Sequence, residues 1–269
     1  MHKRYMQLLP AVLMVLPFVI ASIFAPLLPL ADPLTPDIIN RHQPPNALHW
    51  FGTDPDGMDV FSRVIHATRL DFGVALAAVL MGVLVGAPLG AFAAYKGGLF
   101  ENFVERVAEM VQAFPMILFA MIASLLIGKG IWPLLFVLAF YNTPFYAKIV
   151  RSIVKPLCET DFVAAARCCG LTPLAIVLRH LLPNAFAGIL SQFPLSCASA
   201  VRAIATLSFV GLGVAPPTPE WGSMIYVGAN YIVFGEWWPS MFPGLALLLA
   251  VLALNNLGRR LQELLGQEG

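Results

Sequence analysis

Phe72-Gly-Val-Ala-Leu-Ala-Ala-Val-Leu-Met-Gly-Val-Leu-Val-Gly-Ala-Pro-Leu-Gly-Ala-Phe-Ala-Ala-Tyr95 carries no charged side chain along its whole length. As a helix rising 1.5 Å per residue it outreaches the roughly 30 Å of hydrocarbon in a bilayer. Only helices and closed barrels satisfy every backbone group in lipid, so this run reads as a transmembrane helix. Similar runs lie near Leu8–Leu30, Val107–Ile127, Ile131–Val150, Ala185–Val214 and Trp238–Leu257, giving an all-α membrane protein of about six spans. The chain is 59% hydrophobic and only 12% charged, which no single soluble core can absorb. Pro17, Pro88, Pro115, Pro144 and Pro194 are expected to kink their helices rather than end them.

The first run is too long for the apolar region of a secretory signal, and Pro26 and Pro29 stand where a small-residue cleavage site belongs. It is read as a retained span. Lysine and arginine then orient the chain. With the N-terminus inside, the inner side receives Lys3, Arg4, Lys96, Arg106, Lys148, Arg151, Lys155, Arg167, Arg179, Arg259 and Arg260, and the outer side only Arg41, Arg63, Arg69 and Lys129. The organisation expected is a first span over 1–30, an outer loop over 31–70, a transmembrane core over 71–260 with an inner loop at 151–184, and a tail at 261–269. A net charge of +1 with no concentrated basic face excludes a nucleic-acid partner.

Both loops carry structure of their own. In the outer one, Thr53-Asp-Pro-Asp-Gly57 turns into Met58, Phe61, Val64 and Ile65 at helical spacing, which predicts a short amphipathic helix resting on the outer membrane face. In the inner one, Phe162, Ala165, Ala166 and Cys169 recur at helical spacing and stop at Gly170, a residue suited to the positive φ of a helix C-terminus. Thr172 then caps a second helix with Pro173 at its first position and Leu174, Val177, Leu178 and Leu181 along one face, ended by Pro183. The small face of Ala164, Ala165 and Ala166 lets another backbone come close.

The stretch Asp161-Phe-Val-Ala-Ala-Ala-Arg-Cys-Cys-Gly170, followed by Arg179-His-Leu-Leu-Pro-Asn184, resembles the cytoplasmic coupling loop of binding-protein-dependent ABC importer permeases. In that family the loop inserts a short helix into a groove on an ATP-binding subunit, which assigns the role to Asp161, Ala164, Ala165, Ala166, Gly170, His180, Pro183 and Asn184. More narrowly, His49-Trp-Phe-Gly-Thr-Asp-Pro-Asp-Gly-Met-Asp-Val-Phe-Ser-Arg63, Gly97-Gly98 with Phe114-Pro115, and Leu207-Ser-Phe-Val-Gly-Leu-Gly-Val-Ala-Pro-Pro-Thr-Pro-Glu-Trp-Gly222 resemble the C-type membrane subunit of dipeptide, oligopeptide and nickel importers. The resemblance runs from about Asn46 to Leu261. It implies a type I ABC importer permease fold in the bacterial inner (plasma) membrane with both termini cytoplasmic. The implied partners are a homologous B-type permease subunit, two ABC ATPase subunits and an extracytoplasmic solute-binding protein, with ATP and Mg²⁺ on the ATPases and no cofactor on this chain. The solute implied is peptide-like, or nickel or a metal chelate.

The sequence departs from that pattern at Ala164, where the loop usually opens with glutamate, and at Ile204, where an acid usually precedes Leu-Ser-Phe. Arg202 sits two residues earlier, inside the fifth span. A guanidinium there costs several kcal/mol unless it pairs or meets water or ligand, so Arg202 is the candidate translocation-path residue, suited to passing a carboxylate.

No catalytic constellation is present. His180 has no neighbouring nucleophile, Ser208 has no glycine elbow for a hydrolase, and no Gly-x-x-x-x-Gly-Lys-Ser/Thr run exists to bind ATP. Cys158, Cys168, Cys169 and Cys197 lack zinc-site spacing and are read as small apolar residues, and His42, His49 and His66 as solvated rather than metal-binding. A secondary transporter or channel, the alternative, calls for a mid-membrane carboxylate or duplicated halves, and neither is evident. The charge bias predicts that a reporter fused after Gly269 reads cytoplasmic and one inserted near Asn46 reads outside; the same side for both overturns the six-span reading.

Overall fold

A computed structural model describes the backbone of residues 2–265 and the side chains of residues 8–265. The terminal tail expected from 261 is helical up to Leu265, and Lys3 and Arg4 lie outside the described side chains. Ten α-helices follow in order: α1 (His2–Phe24), α2 (Val60–Lys96), α3 (Gly98–Ala113), α4 (Met116–Ile127), α5 (Ile131–Leu157), α6 (Asp161–Cys168), α7 (Pro173–Ile176), α8 (Leu182–Phe209), α9 (Trp221–Ala229) and α10 (Trp238–Leu265). Five unbroken segments are long and apolar enough to cross a membrane, or six when α3 and α4 count as one.

That third span differs from expectation: α3 and α4 meet at 84° rather than forming one kinked helix. The cause is Pro115, which disfavours helical backbone at the residue before it, and Phe114 is extended with φ −84° and ψ 129°. The outer amphipathic stripe also corrects the reading. Phe61, Val64 and Ile65 belong to the first turns of α2, continuous with its span, and Met58 and Val64 are buried against the protein instead of lying on lipid.

The remainder of the outer segment folds down as a cap. Asp59 accepts the Ser62 N–H at 2.7 Å to start α2 and takes His49 Nδ1 at 2.8 Å. Asp54 Oδ1 accepts the N–H groups of Asp56 and Met58, which closes the Asp-Pro-Asp-Gly turn. Arg63, buried on α2, donates to Pro33 O at 2.7 Å and places its Nε 3.4 Å from Asp54 Oδ2. Burial pushes the Asp54 carboxyl up despite this guanidinium, so desolvation outweighs the ion pair there. Trp238 Nε1 donates to Thr53 O at 2.9 Å, and His42 Nδ1 meets Glu236 at 2.5 Å, which fasten the cap to the start of α10.

α2 and α5 form the centre. Gly82, Gly86 and Gly90 line one face of α2 at four-residue spacing, and α5 lies directly against them. A Cβ on Gly86 would sit 2.3 Å from Thr143 O, and one on Gly90 2.1 Å from Ala147 O. Small residues matter here because lipid supplies no hydrophobic drive between helices, so attraction comes from close backbone contact. α8 joins this pair through Tyr146 Oη, which donates to Ser196 Oγ at 2.9 Å in the buried core. α1 packs outside, its Phe18 stacked on Phe72 and edge-on to Trp221.

Gly73 on the same helix has nothing within 4 Å of a would-be Cβ. Gly86→Ala is therefore expected to lower the thermal stability of the purified protein by about 1–3 kcal/mol through overpacking. Gly73→Ala leaves it unchanged or slightly raised, and equal effects of the two on the unfolding midpoint would contradict the helix contact.

Candidate functional site

The inner loop begins where α5 stops at Cys158 and α6 starts at Asp161. α6 turns Val163 and Ala166 inward, where they are buried, and leaves Asp161, Phe162, Ala164, Ala165 and Cys169 exposed. Gly170 closes it with φ 74°. The Leu171 N–H donates to Ala166 O and the Gly170 N–H to Arg167 O, the paired bonds of a Schellman motif, so the positive φ is built into the loop's shape. Thr172 Oγ1 then accepts the Ala175 N–H at 3.3 Å and α7 starts at Pro173. Of the expected apolar face, Val177 and Leu181 are buried with Ile176, while Leu174 and Leu178 face out. Phe162, Leu171, Leu174 and Leu178 thus present apolar side chains on a segment that ends in the polar residues Arg179 and His180.

Pro183 does not end the second helix, contrary to expectation. A π turn over Val177–Leu181, in which the Leu182 N–H donates to Val177 O, carries the chain into α8 with Pro183 in its first turn. The wider turn accommodates a residue that has no N–H and whose ring crowds the carbonyl four positions back. Asn184 Nδ2 donates to His180 O at 2.6 Å across the junction. Pro173–Phe209 is consequently one rod of 37 residues, which joins the inner loop to the fifth span. His180, Pro183 and Asn184 belong to this junction and Asp161 to Gly170 to the preceding turn.

Charged contacts hold the loop's base. Arg151 Nη2 reaches Glu101 at 2.7 Å and Glu105 at 3.1 Å, and Lys155 Nζ reaches Glu101 at 2.7 Å. The Arg167 guanidinium lies 4.9 Å from the centroid of Tyr95, tying α6 to the end of α2. Sequence reasoning missed this network, although two acids four apart on α3 and two bases four apart on α5 were a usable signal.

Arg202 lies exposed on α8, its Nη2 donating to Ser199 Oγ at 2.9 Å. Ser199 and Ala203 line a groove of about 450 Å³ between α3, α4, α5 and α8. Gln112, Tyr141, Asn142 and Ser196 supply its other polar surface. The structure thus puts Arg202 at the edge of an open groove, next to its lining.

At the far end of α8, Leu207 to Leu212 form a second Schellman turn, with Gly211 at φ 80°. Glu220 starts α9 by accepting the N–H groups of Gly222 and Ser223, each at 2.7 Å, and burial pushes its carboxyl up against the pull of those donors. The Trp221 N–H donates to Asp71 Oδ2 at 3.2 Å and its Nε1 to Val64 O at 3.1 Å. A Cβ on Gly222 would lie 2.3 Å from Ala205 O. In Pro-Glu-Trp-Gly the acid caps, the indole anchors to α2, and the glycine lets α9 abut α8. The histidines take separate partners: Glu236 for His42, Asp59 for His49 and the Ser62 carbonyl for His66.

Residues 86–268 match the family described as the binding-protein-dependent transport system inner membrane component. The dipeptide transport system permease protein DppC of Alkalihalophilus pseudofirmus is 36% identical over 92% of this chain and 81% of its own length. The probable D,D-dipeptide transport system permease protein DdpC of Escherichia coli K12 is 32% identical over 95% and 85%. The glutathione transport system permease protein GsiD of E. coli O6:K15:H31 is 33% identical over 98% and 87%. A chain of the MetNI methionine ABC transporter in an inward-facing form superposes with a TM-score of 0.61 at 18% identity, covering 76% of this chain and 96% of that one.

Proposed function

Because the chain belongs to the family of inner membrane components of binding-protein-dependent transport systems and is the permease subunit of an ABC importer, we propose that it moves a peptide-like solute and takes its energy from ATPases docked on the loop around Gly170. The named relatives serve dipeptides, D,D-dipeptides and glutathione, which supports a short peptide or peptide conjugate as cargo. The observation that carries the docking role is the exposed apolar set Phe162, Leu171, Leu174 and Leu178, held in fixed shape by the Gly170 turn at a helix end.

In this reading the chain pairs with a homologous B-type permease, two ATPase subunits hold ATP and Mg²⁺, and a solute-binding protein delivers cargo at the outer cap. The chain itself binds no nucleotide and does no chemistry. Both termini are cytoplasmic, in keeping with the bases concentrated around the inner loop, among them Arg151, Lys155, Arg167 and Arg179. When the ATPases close, α6 and α7 move with them. The rod Pro173–Phe209 carries that displacement to the groove beside Arg202.

Gly170→Val tests the docking role, since a β-branched residue at φ 74° carries about 1–3 kcal/mol of backbone strain and misplaces α7. Nothing lies within 4 Å of its Cβ, so the effect is local rather than a clash. Membrane insertion is expected to be normal, with ATP-driven uptake and binding-protein-stimulated ATPase activity reduced at least several-fold. Wild-type values for both, or uptake by the parent complex that survives vanadate and collapses with a protonophore, overturn the reading.

A further inference from the structure

The groove between α5 and α8 has a charge pattern that its residue types alone do not disclose. Each end of its polar lining is held by a cation. Arg202 Nη2 donates to Ser199 Oγ at 2.9 Å, and Lys148 Nζ donates to Gln112 Oε1 at 3.4 Å. None of the groove's lining side chains is acidic. The two cations are also at different depths. Tyr146 and Ser196, joined by a hydrogen bond, mark a common level on the antiparallel helices α5 and α8. Lys148 lies two residues beyond that level toward the inner loop and Arg202 six residues beyond it toward the outer cap. At 1.5 Å per residue they stand about 12 Å apart along the helix axes.

Between them the surface is amide, hydroxyl and apolar, from Asn142, Tyr141, Ser196 and Phe145. A volume of about 450 Å³ lies within the range of small-molecule sites. In a low-dielectric setting two positive charges with no countercharge in the lining raise the local concentration of anions and repel cations. Neither cation is spent structurally, for each makes a single bond to a neutral acceptor while Arg151 and Lys155, further in, are consumed by Glu101.

We propose that Arg202 and Lys148 form two successive stations for a carboxylate, so that the groove selects solutes bearing a net negative charge, handing the anionic group from the outer-cap end to the inner-loop end. This rests on the importer reading above and names the substrate class of the same path. The amide and hydroxyl groups between the stations suit a peptide backbone, and the apolar patches its side chains.

The test reads local charge directly and does not depend on knowing the solute. In the full complex reconstituted in phosphatidylcholine nanodiscs, Cys158, Cys168, Cys169 and Cys197 are replaced by alanine. A single reporter cysteine is placed as Ala203→Cys beside Arg202, or as Phe145→Cys one turn from Lys148. Rates of modification by anionic sulfonatoethyl and cationic trimethylammonioethyl methanethiosulfonate are then compared with their rates on free cysteine.

The expected result is a bias toward the anionic reagent on the order of fivefold at each position. Arg202→Gln should abolish the bias at position 203 and Lys148→Gln at position 145, each leaving the other largely intact. Preference for the cationic reagent, insensitivity to both charge variants, or no modification at either position with and without ATP overturns the proposal. So does a bias that vanishes when phosphatidylglycerol is added, which assigns the cations to lipid headgroups. ATPase stimulation by the loaded binding protein is measured in the same samples. Its loss in the parent complex sinks the importer reading, whereas its retention with a cationic or absent bias sinks the anion stations alone.

Discussion

The backbone contact between α2 and α5 is the constraint from which the rest of the molecule hangs. Both helices are apolar enough for lipid, so nothing in their hydropathy holds them together. Three glycines one turn apart let the α5 backbone come close enough for dispersion to do so. α8 attaches to that pair through Tyr146 and Ser196, α3 through Glu101, and the outer cap through the first turns of α2. A shift of α2 against α5 would therefore disturb the groove, the loop base and the cap together.

Away from that contact the inner loop is held by fewer and looser interactions. α6 is fastened by two buried side chains and by Arg167 on Tyr95, a modest hold compared with the glycine contact. The π turn at Val177–Leu181 lies where the inner loop becomes a span, and such widened turns often mark functional positions within helices. With the α2–α5 contact as fulcrum, the continuous segment Pro173–Phe209 is mechanically suited to convert a small displacement of the loop into a tilt of α8.

Much of this is legible in the sequence. Long uncharged runs located the helices because lipid imposes a length, and Gly170 and Thr172 located the loop's turn because positive φ and N-capping each restrict residue type. Where the reading failed, two rules competed. Pro115 and Pro183 look alike in sequence, yet one breaks a span at 84° behind an extended Phe114 and the other is absorbed by a π turn. The stripe at Met58, Phe61 and Val64 had the right spacing for a helix, but spacing does not tell lipid from protein as the apolar partner. In the sequence Lys148 reads only as an orientation charge, because its nearness to Gln112 depends on the α3–α5 pairing.

The Trp221 N–H and its acceptor Asp71 are 150 positions apart, and α2 cannot wait for its partner. During synthesis α2 enters the bilayer with a carboxyl group that acquires this donor only after α3 to α8 have followed. The contact that closes the outer end therefore forms late, because α9 with its Glu220-capped first turn must follow α8 before the indole can reach Val64. A chain released before that point leaves Asp71 Oδ2 without the Trp221 donor and α2 without the indole on Val64.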